Sequence, residues 1–546
     1  MEAYIAAKRN TQFTATMEDL DHLIDTVLTE DAQPEDLFNA VSSLAKLSRE
    51  EETVRTRLAS KDALQRLMKI LLTRMRTLPE ADLLAATLRC VGNACVSNPE
   101  ACATVTEYKF DWYYTFLVPK KSDLRPGHKM PDHTPGGNRG WAHTWASPHW
   151  DAPPAEIREL TIKVLYNICS QSEEAQKLCY IGGVDIQVFT VLSEYDRSPV
   201  ENPSLAIDLL FWITSHHKEL SKDPGAKYTH MAHPNRVLFG GYWTRILEAT
   251  SLLWDKVDVE DYATLVESML VFLRDPEASN ENQNDAQRMS RIWRVLTRIE
   301  RKIQQASEDA DDVKLLAALS TSLTWVLSDI SASTAFASHV IANTGDHIRP
   351  FIEDLCQLLT TGVALSRPKM NWNLADADEI VDGDALRLTS AACQIVGNML
   401  HGQTSSEKNL QPDDDRAGKV NSEQPLAVQD RHIYQRLFAL MTTSDNADFL
   451  HSAAGFLIQL SRPSSEVRAE IAGDNNALAA IERLGQHPMQ QLNQDALMLM
   501  RALGKDTPSV QEKLKELAGE VMATVAETQK AAAGAQAEQA AINSTA

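Results

Sequence analysis

The stretch LRCVGNACVSNPEACATV, Leu88–Val105, returns twice more along the chain, and this self-similarity decides the fold. It aligns with TIKVLYNICSQSEEAQKLCYIGGV, which spans Thr161–Val184, and with SAACQIVGNMLHGQTSSEKNL, which spans Ser390–Leu410. In the first of these alignments Asn93 falls against Asn167. Internal repeats of this kind indicate stacked structural units, which have to be recognised before any single motif is interpreted.

Each copy combines an apolar segment of about three helical turns with a polar turn and a second helical start rich in Glu, Gln and Ala. Helix, polar turn, helix, Gly and helix over about 40 residues is typical of armadillo and HEAT repeats. The sequence therefore predicts an all-α fold, an armadillo/HEAT-like right-handed superhelical solenoid over residues 1–520. Weaker copies of the pattern occur at Leu205–Leu220, Leu319–Phe336, Leu450–Ile471 and Asp495–Leu514.

Polar segments without helical periodicity interrupt the copies. They predict loop insertions at about residues 119–153, 221–236 and 402–427, which in a solenoid map to loops on one rim. When the first insertion is removed, the interval between two aligned copies is close to one armadillo unit. The end of the chain, residues 521–546, is low in complexity, and we expect it to form a disordered tail.

The cysteines of the opening stretch could belong either to a thiol site or to a packed core. The chain has seven cysteines, an odd number without a regular framework, which indicates reduced thiols. Cys90 and Cys95 are five positions apart on a helix, which is neither i+3 nor i+4, and the repeat places their equivalents at apolar positions. No Cys-x-x-Cys or partner His accompanies them. We therefore interpret the cluster as packing.

Two groups of histidines are the candidates for a metal site. The first lies with three tryptophans in the insertion at 119–153, but it lacks the cysteines and the short ligand spacing of structural zinc sites, so we interpret it as a partner-contact loop. The second group we interpret as surface-loop histidines. We predict no metal site from either group, whose members are His128, His133, His143, His149, and then His216, His217, His230, His233.

No catalytic motif occurs in the sequence. It contains no Gly-x-x-x-x-Gly-Lys-Ser/Thr phosphate loop, no Gly-x-Ser-x-Gly elbow and no kinase signature, and GGNRGW follows no predicted strand. We therefore predict a protein that acts by binding, is not an enzyme and uses no cofactor.

The formal net charge of −22 bears on partners. It argues against nucleic acid and against anionic membrane surfaces, and it favours a basic partner. The alternative, that acidity only keeps a large helical protein soluble, stays open. The chain starts without an apolar signal segment and has no apolar run of about 18 to 20 residues, so we predict no stable membrane insertion and a cytoplasmic location, with the nucleus as a second compartment.

Polar residues recur on one face of the repeated apolar helix. Each aligned Asn has a polar residue four positions earlier, on the same helical face. Asn is unfavourable inside a helix, so its recurrence requires a compensating bond, made either to a partner's backbone or to the neighbouring repeat. Because the third helix of each unit lines the concave face of a solenoid, we predict a partner-binding groove that contains Arg89, Asn93, Lys163, Asn167, Gln394 and Asn398.

The repeated stretches resemble the armadillo family. Within that family, LRCVGNACVSNPEA is similar to the small-GTPase guanine-nucleotide dissociation stimulators, whose repeats read ALGN followed by an acidic turn. The insertion at 119–153 and the long loop after Gly402 depart from the plain repeat pattern of that family. Ataxin-ten-type proteins carry armadillo helices close to LRCVGNAC and are the rival resemblance.

The first resemblance implies a non-catalytic regulator and chaperone of Ras and Rho family GTPases. Such a protein binds GTPases with polybasic, prenylated tails and weakly stimulates guanine-nucleotide dissociation. The net charge of −22 agrees with a basic tail as the partner. The rival resemblance implies a general protein-interaction scaffold of the ataxin-ten type, and the sequence leaves this alternative open.

Overall fold

The computed structural model divides into two compact units, unit 1 (Met1–Ala278) and unit 2 (Ser279–Ala546). The residues that the structure describes are 16–73, 81–108, 114–117, 154–196, 199–220, 242–274, 286–305, 311–333, 336, 349–362, 364–365, 380–381, 386–409, 433–462, 465–474, 476–505, 508, 511–512, 514–515 and 519.

Unit 1 is helical throughout its described residues. A single 3₁₀ turn at Met17–Asp19 precedes the first α-helix. The helices are α1 (Leu20–Leu28), α2 (Pro34–Glu50), α3 (Glu52–Leu58), α4 (Lys61–Thr73), α5 (Ala81–Cys95), α6 (Pro99–Glu107), α7 (Tyr114–Leu117), α8 (Ala155–Cys169), α9 (Glu173–Gly182), α10 (Val184–Ser193), α11 (Pro203–Ser215), α12 (His217–Leu220), α13 (Tyr242–Leu253) and α14 (Val259–Leu273).

One series of helices forms the centre of unit 1, and we call it the row of unit 1: α2, α5, α8, α11 and α14. Each of these helices packs against the next. The copies of the repeated pattern that begin at Leu88, Thr161 and Leu205 lie in α5, α8 and α11. Their apolar residues are buried between the neighbouring helices, and each such side chain contributes about 1.5–3 kcal/mol to folding.

The described residues of unit 2 are also helical, apart from a short pair of antiparallel strands that joins Ala364 to Val381 and Leu365 to Ile380. Its elements are α15 (Ala286–Gln305), α16 (Asp311–Ala332), α17 (Arg349–Thr361), β1 (Ala364–Leu365), β2 (Ile380–Val381), α18 (Leu386–Asn409), α19 (Ile433–Met441), α20 (Ala447–Leu460), α21 (Ser465–Ala472), α22 (Ala477–Gly485) and α23 (Gln490–Gly504).

The row of unit 2 consists of α16, α18, α20 and α23, and again each helix packs against the next. All four hold copies of the repeated pattern, which begin at Leu319, Ser390, Leu450 and Asp495. In both units the recurring apolar helix therefore supplies the contacts between successive repeats.

The polar turn within each copy starts the second helix of that copy. Asn98 accepts a hydrogen bond from the Ala101 backbone N–H at the start of α6, and Ser172 accepts one from Ala175 at the start of α9. Both side chains therefore satisfy a backbone donor that the helix leaves unpaired. Gly183 joins α9 to α10 with φ of 77°, a conformation that favours glycine, which explains the Gly-Gly break in the pattern.

The all-α prediction is confirmed in the described residues, apart from the two short strands. The predicted insertions at 119–153 and 221–236 and the predicted tail at 521–546 lie outside them. The third insertion, predicted at 402–427, begins later than expected, because α18 continues to Asn409. Residues 402–409 contain no Pro, and the Gln, Ser, Glu and Lys among them are tolerated in a helix. One continuous array over 1–520 stays a prediction.

Candidate binding surfaces

The six polar residues predicted to line a groove occupy two separate places. Four of them lie in unit 1, on α5 and α8, and two lie in unit 2, on α18. In each helix the two residues are one turn apart, as their spacing predicts. Their role in binding a partner stays a prediction, but their contacts within the protein are defined. The pairs are Arg89 with Asn93, Lys163 with Asn167, and Gln394 with Asn398.

The two asparagines of unit 1 donate to the preceding helix of the row. Nδ2 of Asn93 lies 2.9 Å from Oγ of Ser48 on α2. Nδ2 of Asn167 lies 3.0 Å from the carbonyl oxygen of Gly92 on α5. Both asparagines are half-buried. The compensation that a mid-helix Asn requires therefore comes from the neighbouring repeat at these two positions.

Asn398 makes the same connection in unit 2. Its Nδ2 lies 3.1 Å from the carbonyl oxygen of Ser328 and 3.1 Å from Oγ of Ser331, both on α16. Because a carbonyl oxygen can only accept, this contact fixes which end of the Asn398 amide is the nitrogen. The amide oxygen of Asn398 is consequently left as an acceptor.

The two basic residues of the predicted set are paired with carboxylates. Arg89 on α5 forms an ion pair with Glu156 on α8, and Lys163 forms one with Glu159 one turn earlier in its own helix. Arg89 and Glu156 are both largely exposed, so their ion pair contributes little to stability. Neither basic side chain is committed to the core.

A groove of about 690 Å³ lies in unit 2 between three helices of its row, α16, α18 and α20. We call it the row groove. Its volume is in the range of pockets that bind small ligands or a few residues of a peptide. Its floor is made mostly of hydroxyl, amide and glycine residues, among them Gln394, Asn398, Ser452, Gly455 and Gln459.

A hydrogen-bond network organises the floor of the row groove. The Ser452 hydroxyl donates to the Asp448 carbonyl oxygen at 2.7 Å, so its oxygen accepts from Ser390 at 2.8 Å and from Nε2 of Gln394 at 2.9 Å. The amide nitrogen of Gln394 is therefore used inside the protein, and its oxygen is left as an acceptor. Within the part of the chain that the structure describes, the buried Oε1 of Gln459 accepts no hydrogen bond.

Trp325 and Asp329 of α16 form one wall of the row groove. They lie one helical turn apart and therefore on the same face. Trp325 is 68% exposed, which is unusual for the largest apolar side chain in a helix whose other face is buried. Asp329 is exposed as well, and it forms no ion pair with any residue in the described ranges.

The opposite wall carries a histidine that is held by a buried carboxylate. Nδ1 of His451 on α20 lies 2.6 Å from Oδ2 of Asp495 on α23. The Asp495 side chain is buried, whereas about half of the His451 side chain is exposed to the groove. The hydrogen bond to Asp495 raises the pKa of His451, and burial opposes this in part.

Unit 1 has a different surface, which we call the carboxylate face: Asp208 on α11 with Glu260 and Asp261 at the start of α14. Burial raises the pKa of Asp208, and the neighbouring Asp261 and Glu260 carboxylates raise it further. Ser204 donates its hydroxyl hydrogen bond to Asp261. A cation at the carboxylate face would balance part of this negative charge.

An aromatic pair borders the carboxylate face. The rings of Tyr166 on α8 and Trp212 on α11 have centroids 4.9 Å apart. Burial raises the pKa of the Tyr166 hydroxyl, and the charge of Asp208 adds to this effect. Phe211, next to Trp212, is an exposed aromatic residue. The face thus combines negative charge with aromatic rings that a basic side chain can contact.

The cysteines are packing residues, as predicted. All seven are free and buried. Burial raises the pKa of Cys90 and of Cys393 far above the usual range for a thiol, which disfavours the reactive thiolate. Sγ of Cys169 and Sγ of Cys179 are 3.6 Å apart in the interior of unit 1.

The interpretation of His216 and His217 as surface-loop histidines is wrong. They are 9% and 5% exposed, at the junction of α11 and α12. Nε2 of His216 lies 2.8 Å from Oε1 of Gln176, and Nδ1 of His217 lies 2.6 Å from the hydroxyl of Tyr180. Each imidazole is thus buried with a hydrogen-bond partner on α9, which the sequence pattern alone does not indicate. The remaining candidate histidines lie outside the described residues.

Among the described residues, a cluster at α9 and α12 has ligand atoms close enough together to hold a cation, but a lysine ammonium group already lies among them. Glu173, His216 and Glu219 bring their ligand atoms within 4.8 Å of one another. Nζ of Lys177 lies 2.8 Å from Glu173 and 3.0 Å from Glu219. These hydrogen bonds raise the pKa of Lys177 and lower the pKa of both carboxyl groups. The ammonium group therefore already balances the negative charge.

By length and composition, α16 could cross a membrane, although the sequence predicts no membrane insertion. A core helix of a globular protein meets the same criterion. Leu316, Leu323 and Leu327 are buried, and the helix packs against α15 and α18 within unit 2. These contacts are those of a core helix, and the absence of membrane insertion stays a prediction.

Sequence reasoning missed both Trp325 with Asp329 and His451 with Asp495. A signal for the first pair exists, since LTWVLSDIS places an aromatic residue and a carboxylate one turn apart within a recognised copy. No local signal exists for the second pair, because its members are 44 positions apart and meet only when α20 packs on α23.

No protein-family model and no curated protein matches the chain. Among solved structures, the chain is similar to an engineered protein whose crystal structure was determined by the Northeast Structural Genomics Consortium. The two are 15% identical, with 89% of this chain and 99% of that chain covered and a TM-score of 0.35. A likeness at this TM-score supports no argument about fold or function.

Proposed function

We propose that this chain is a non-catalytic binding protein built as an armadillo/HEAT-like, right-handed superhelical solenoid. The proposal is supported by the rows of successive helices and by the asparagines that link one row helix to the preceding one in both units. Repeating elements that contact mainly their neighbours are typical of solenoid proteins. Such proteins present their row helices to partners.

The partner class that we propose is small Ras and Rho family GTPases with polybasic, prenylated tails. The observation that carries this proposal is the carboxylate face of unit 1, where Asp208, Glu260 and Asp261 lie beside Tyr166 and Trp212. A basic tail would neutralise carboxylates that repel one another, and the formal net charge of −22 would attract it from a distance. The same charge disfavours nucleic acid as a partner.

In this proposal the protein acts by differential affinity. Lysines and arginines of the tail pair with the carboxylate face, which holds the GTPase close to unit 1. If the protein binds a nucleotide-loosened GTPase more tightly than the nucleotide-bound form, it shifts the GTPase towards nucleotide release without any acid, base or nucleophile. A chaperone of a prenylated tail acts in the cytoplasm, and it can accompany its partner into the nucleus.

The test uses one purified Rho-family GTPase with its natural polybasic tail and a second form whose tail lysines and arginines are replaced by glutamine. We expect the full chain to bind only the first form, with affinity falling ~10-fold or more between 0.05 and 0.5 M salt. We also expect faster release of a fluorescent guanine nucleotide from the first form alone. Equal binding of both forms would contradict the proposal.

The alternative function is a general protein-interaction scaffold of the ataxin-ten type. The observation that favours it is the row groove, whose walls carry charges of both signs and whose floor is polar but uncharged. A partner that binds there would depend less on salt than a polybasic tail does. Retention of partners other than GTPases at 0.5 M salt would therefore favour the scaffold.

A further inference from the structure

The row groove of unit 2 offers hydrogen-bond acceptors to a ligand. The nitrogens of Gln394 and Asn398 are used within the protein, which leaves their oxygens as acceptors. A ligand that brings N–H groups would be favoured here, because amide oxygens accept such hydrogen bonds.

The wall formed by Trp325 and Asp329 selects the kind of donor. An exposed indole face attracts a cation, and a carboxylate one turn away accepts its hydrogen bonds. Asp329 is available, since it has no ion-pair partner in the described part of the chain. Arg387, the groove's own arginine, lies on α18 with Nη1 3.9 Å from the buried Glu300, and so faces a different carboxylate.

We propose that the row groove is a binding site for an arginine-bearing segment of a partner protein. The guanidinium stacks on Trp325 and donates to Asp329, while N–H groups of the segment donate to the amide oxygens of Gln394 and Asn398. This site is separate from the carboxylate face and does not depend on the proposed GTPase function. The row groove would recognise one arginine side chain by its shape and hydrogen bonds, whereas the carboxylate face would attract many basic side chains by their charge.

Arginine fits this wall better than lysine does. A guanidinium is planar, so it can lie flat on the indole and still direct a fork of N–H groups at a carboxylate. A lysine ammonium is a compact, strongly hydrated charge with three donors, and it gains less from an aromatic face. The preference for arginine is therefore the property that distinguishes this site from a surface that merely attracts positive charge.

The test measures fluorescence anisotropy of three labelled peptide pools that differ only at one fixed central residue: arginine, lysine or citrulline. Each pool is titrated with the full chain carrying Asp208→Asn and Asp261→Asn, so that the carboxylate face contributes little. We expect the arginine pool to bind at least ~5-fold more tightly than the other two. Citrulline keeps the shape of arginine and lacks its charge.

Variants of the row groove test whether the preference for arginine arises there. Trp325→Ala and Asp329→Asn should each abolish the preference for arginine, with unchanged circular dichroism because both side chains are exposed. Two controls should retain it: Met489→Ala, an exposed large apolar residue that lines neither surface, and Asp312→Asn, an exposed carboxylate at the start of α16.

Three results would overturn the proposal. The three pools could bind equally, the preference for arginine could survive in both groove variants, or no pool could bind at millimolar protein. Self-association of the chain that Trp325→Ala abolishes, without any preference for arginine, would instead identify a second copy as the occupant. None of these outcomes affects binding of a basic tail at the carboxylate face, so failure here is distinguishable from failure of the GTPase proposal.

Discussion

Asparagine in the middle of a helix identifies the contact between successive row helices. Asn costs about 0.5 kcal/mol relative to Ala in a helix interior, and hydrogen bonds such as those of Asn398 to Ser328 and Ser331 contribute about 0.5–1.5 kcal/mol, which is enough to offset this cost. Asn93 and Asn167 make equivalent bonds in unit 1. A residue that is unfavourable locally is thus favourable once the neighbouring repeat is in place.

The Asn398 bond can be measured by a double-mutant cycle. We expect Asn398→Ala to lower the free energy of unfolding by about 1 kcal/mol, because acceptors on α16 lose their donor. Combined with Ser331→Ala, the two changes should show a coupling energy of about 0.5–1 kcal/mol in urea denaturation. Thr321→Ala is the control, since its exposed hydroxyl bonds only its own helix. A coupling energy of zero would contradict the assignment.

His451 should make the stability of unit 2 depend on pH. Its pKa is raised in the folded protein by the hydrogen bond to Asp495, so its contribution is complete below the unfolded pKa of about 6.5 and is lost as pH rises through the folded pKa. The stability difference between the wild type and Asp495→Asn should therefore be larger at pH 5.5 than at pH 8.5. Because the imidazole is half exposed, the change should stay below about 1 kcal/mol. A difference that grows with pH would contradict this sign.

At the residue scale, spacing predicts contacts along one helix but not contacts between helices. The polar pairs such as Gln394 with Asn398 could be read from their four-residue interval. Whether their amides bond a partner or a neighbouring repeat could not, because that depends on which helix packs alongside. His216 and His217 were misjudged for the same reason, since their partners on α9 become visible only in the fold.

At the scale of the helices, the effect of replacing a glycine depends on its position, at a helix junction or inside a helix. Gly183 has a positive φ between α9 and α10, whereas Gly455 lies inside α20, where a Cβ would meet no atom within 4 Å. We expect Gly183→Ala to lower the free energy of unfolding by about 1–2 kcal/mol and Gly455→Ala to raise it by up to about 1 kcal/mol. Thermal or urea denaturation checks both. Equal effects of the two changes would contradict this reading of the helix junction.

The N-terminal caps allow a second test at this scale. Asp258 accepts a hydrogen bond from the Asp261 backbone N–H at 2.8 Å and so caps α14. Asp258→Ala should cost about 1 kcal/mol of unfolding free energy, because the donor loses its acceptor. Asp258→Asn should retain most of the stability, since Asn caps helices equally well. If both variants lose the same stability, charge rather than capping is the cause.

The sequence predicts the presence of most row helices correctly, but it predicts the residues at which the helices end less accurately. The apolar period and the polar turns predicted seven of the nine row helices, whereas α2 and α14 contain no recognised copy of the pattern. The end of α18 was placed too early, because the polar residues from Gly402 onwards are compatible with both a loop and a helix. The two-residue strands were not predicted, since a segment that short carries no periodicity.

At the scale of the whole molecule, the two units carry two different kinds of surface: the carboxylate face in unit 1 and the row groove in unit 2. We propose that the clustered carboxylates of unit 1 bind a partner with many positive charges and that the polar groove of unit 2 binds one hydrogen-bonding side chain. The net charge of −22 predicts the first kind and is silent about the second. Neither surface could be located from composition, because both are assembled from helices far apart in the sequence.

The most direct test of the account is the affinity of a synthetic polybasic tail peptide for the full chain at 0.05 and 0.5 M salt. The wild type is compared with Asp208→Asn/Asp261→Asn, whose introduced amide oxygen can still accept the bond from Ser204, and with Asp311→Asn/Asp312→Asn, a control of equal charge change in unit 2. We predict that only the first variant binds ~5-fold or more weakly at low salt, and that all three bind weakly and alike at high salt. Equal affinity of the wild type and both variants at low salt would contradict a basic partner at the carboxylate face.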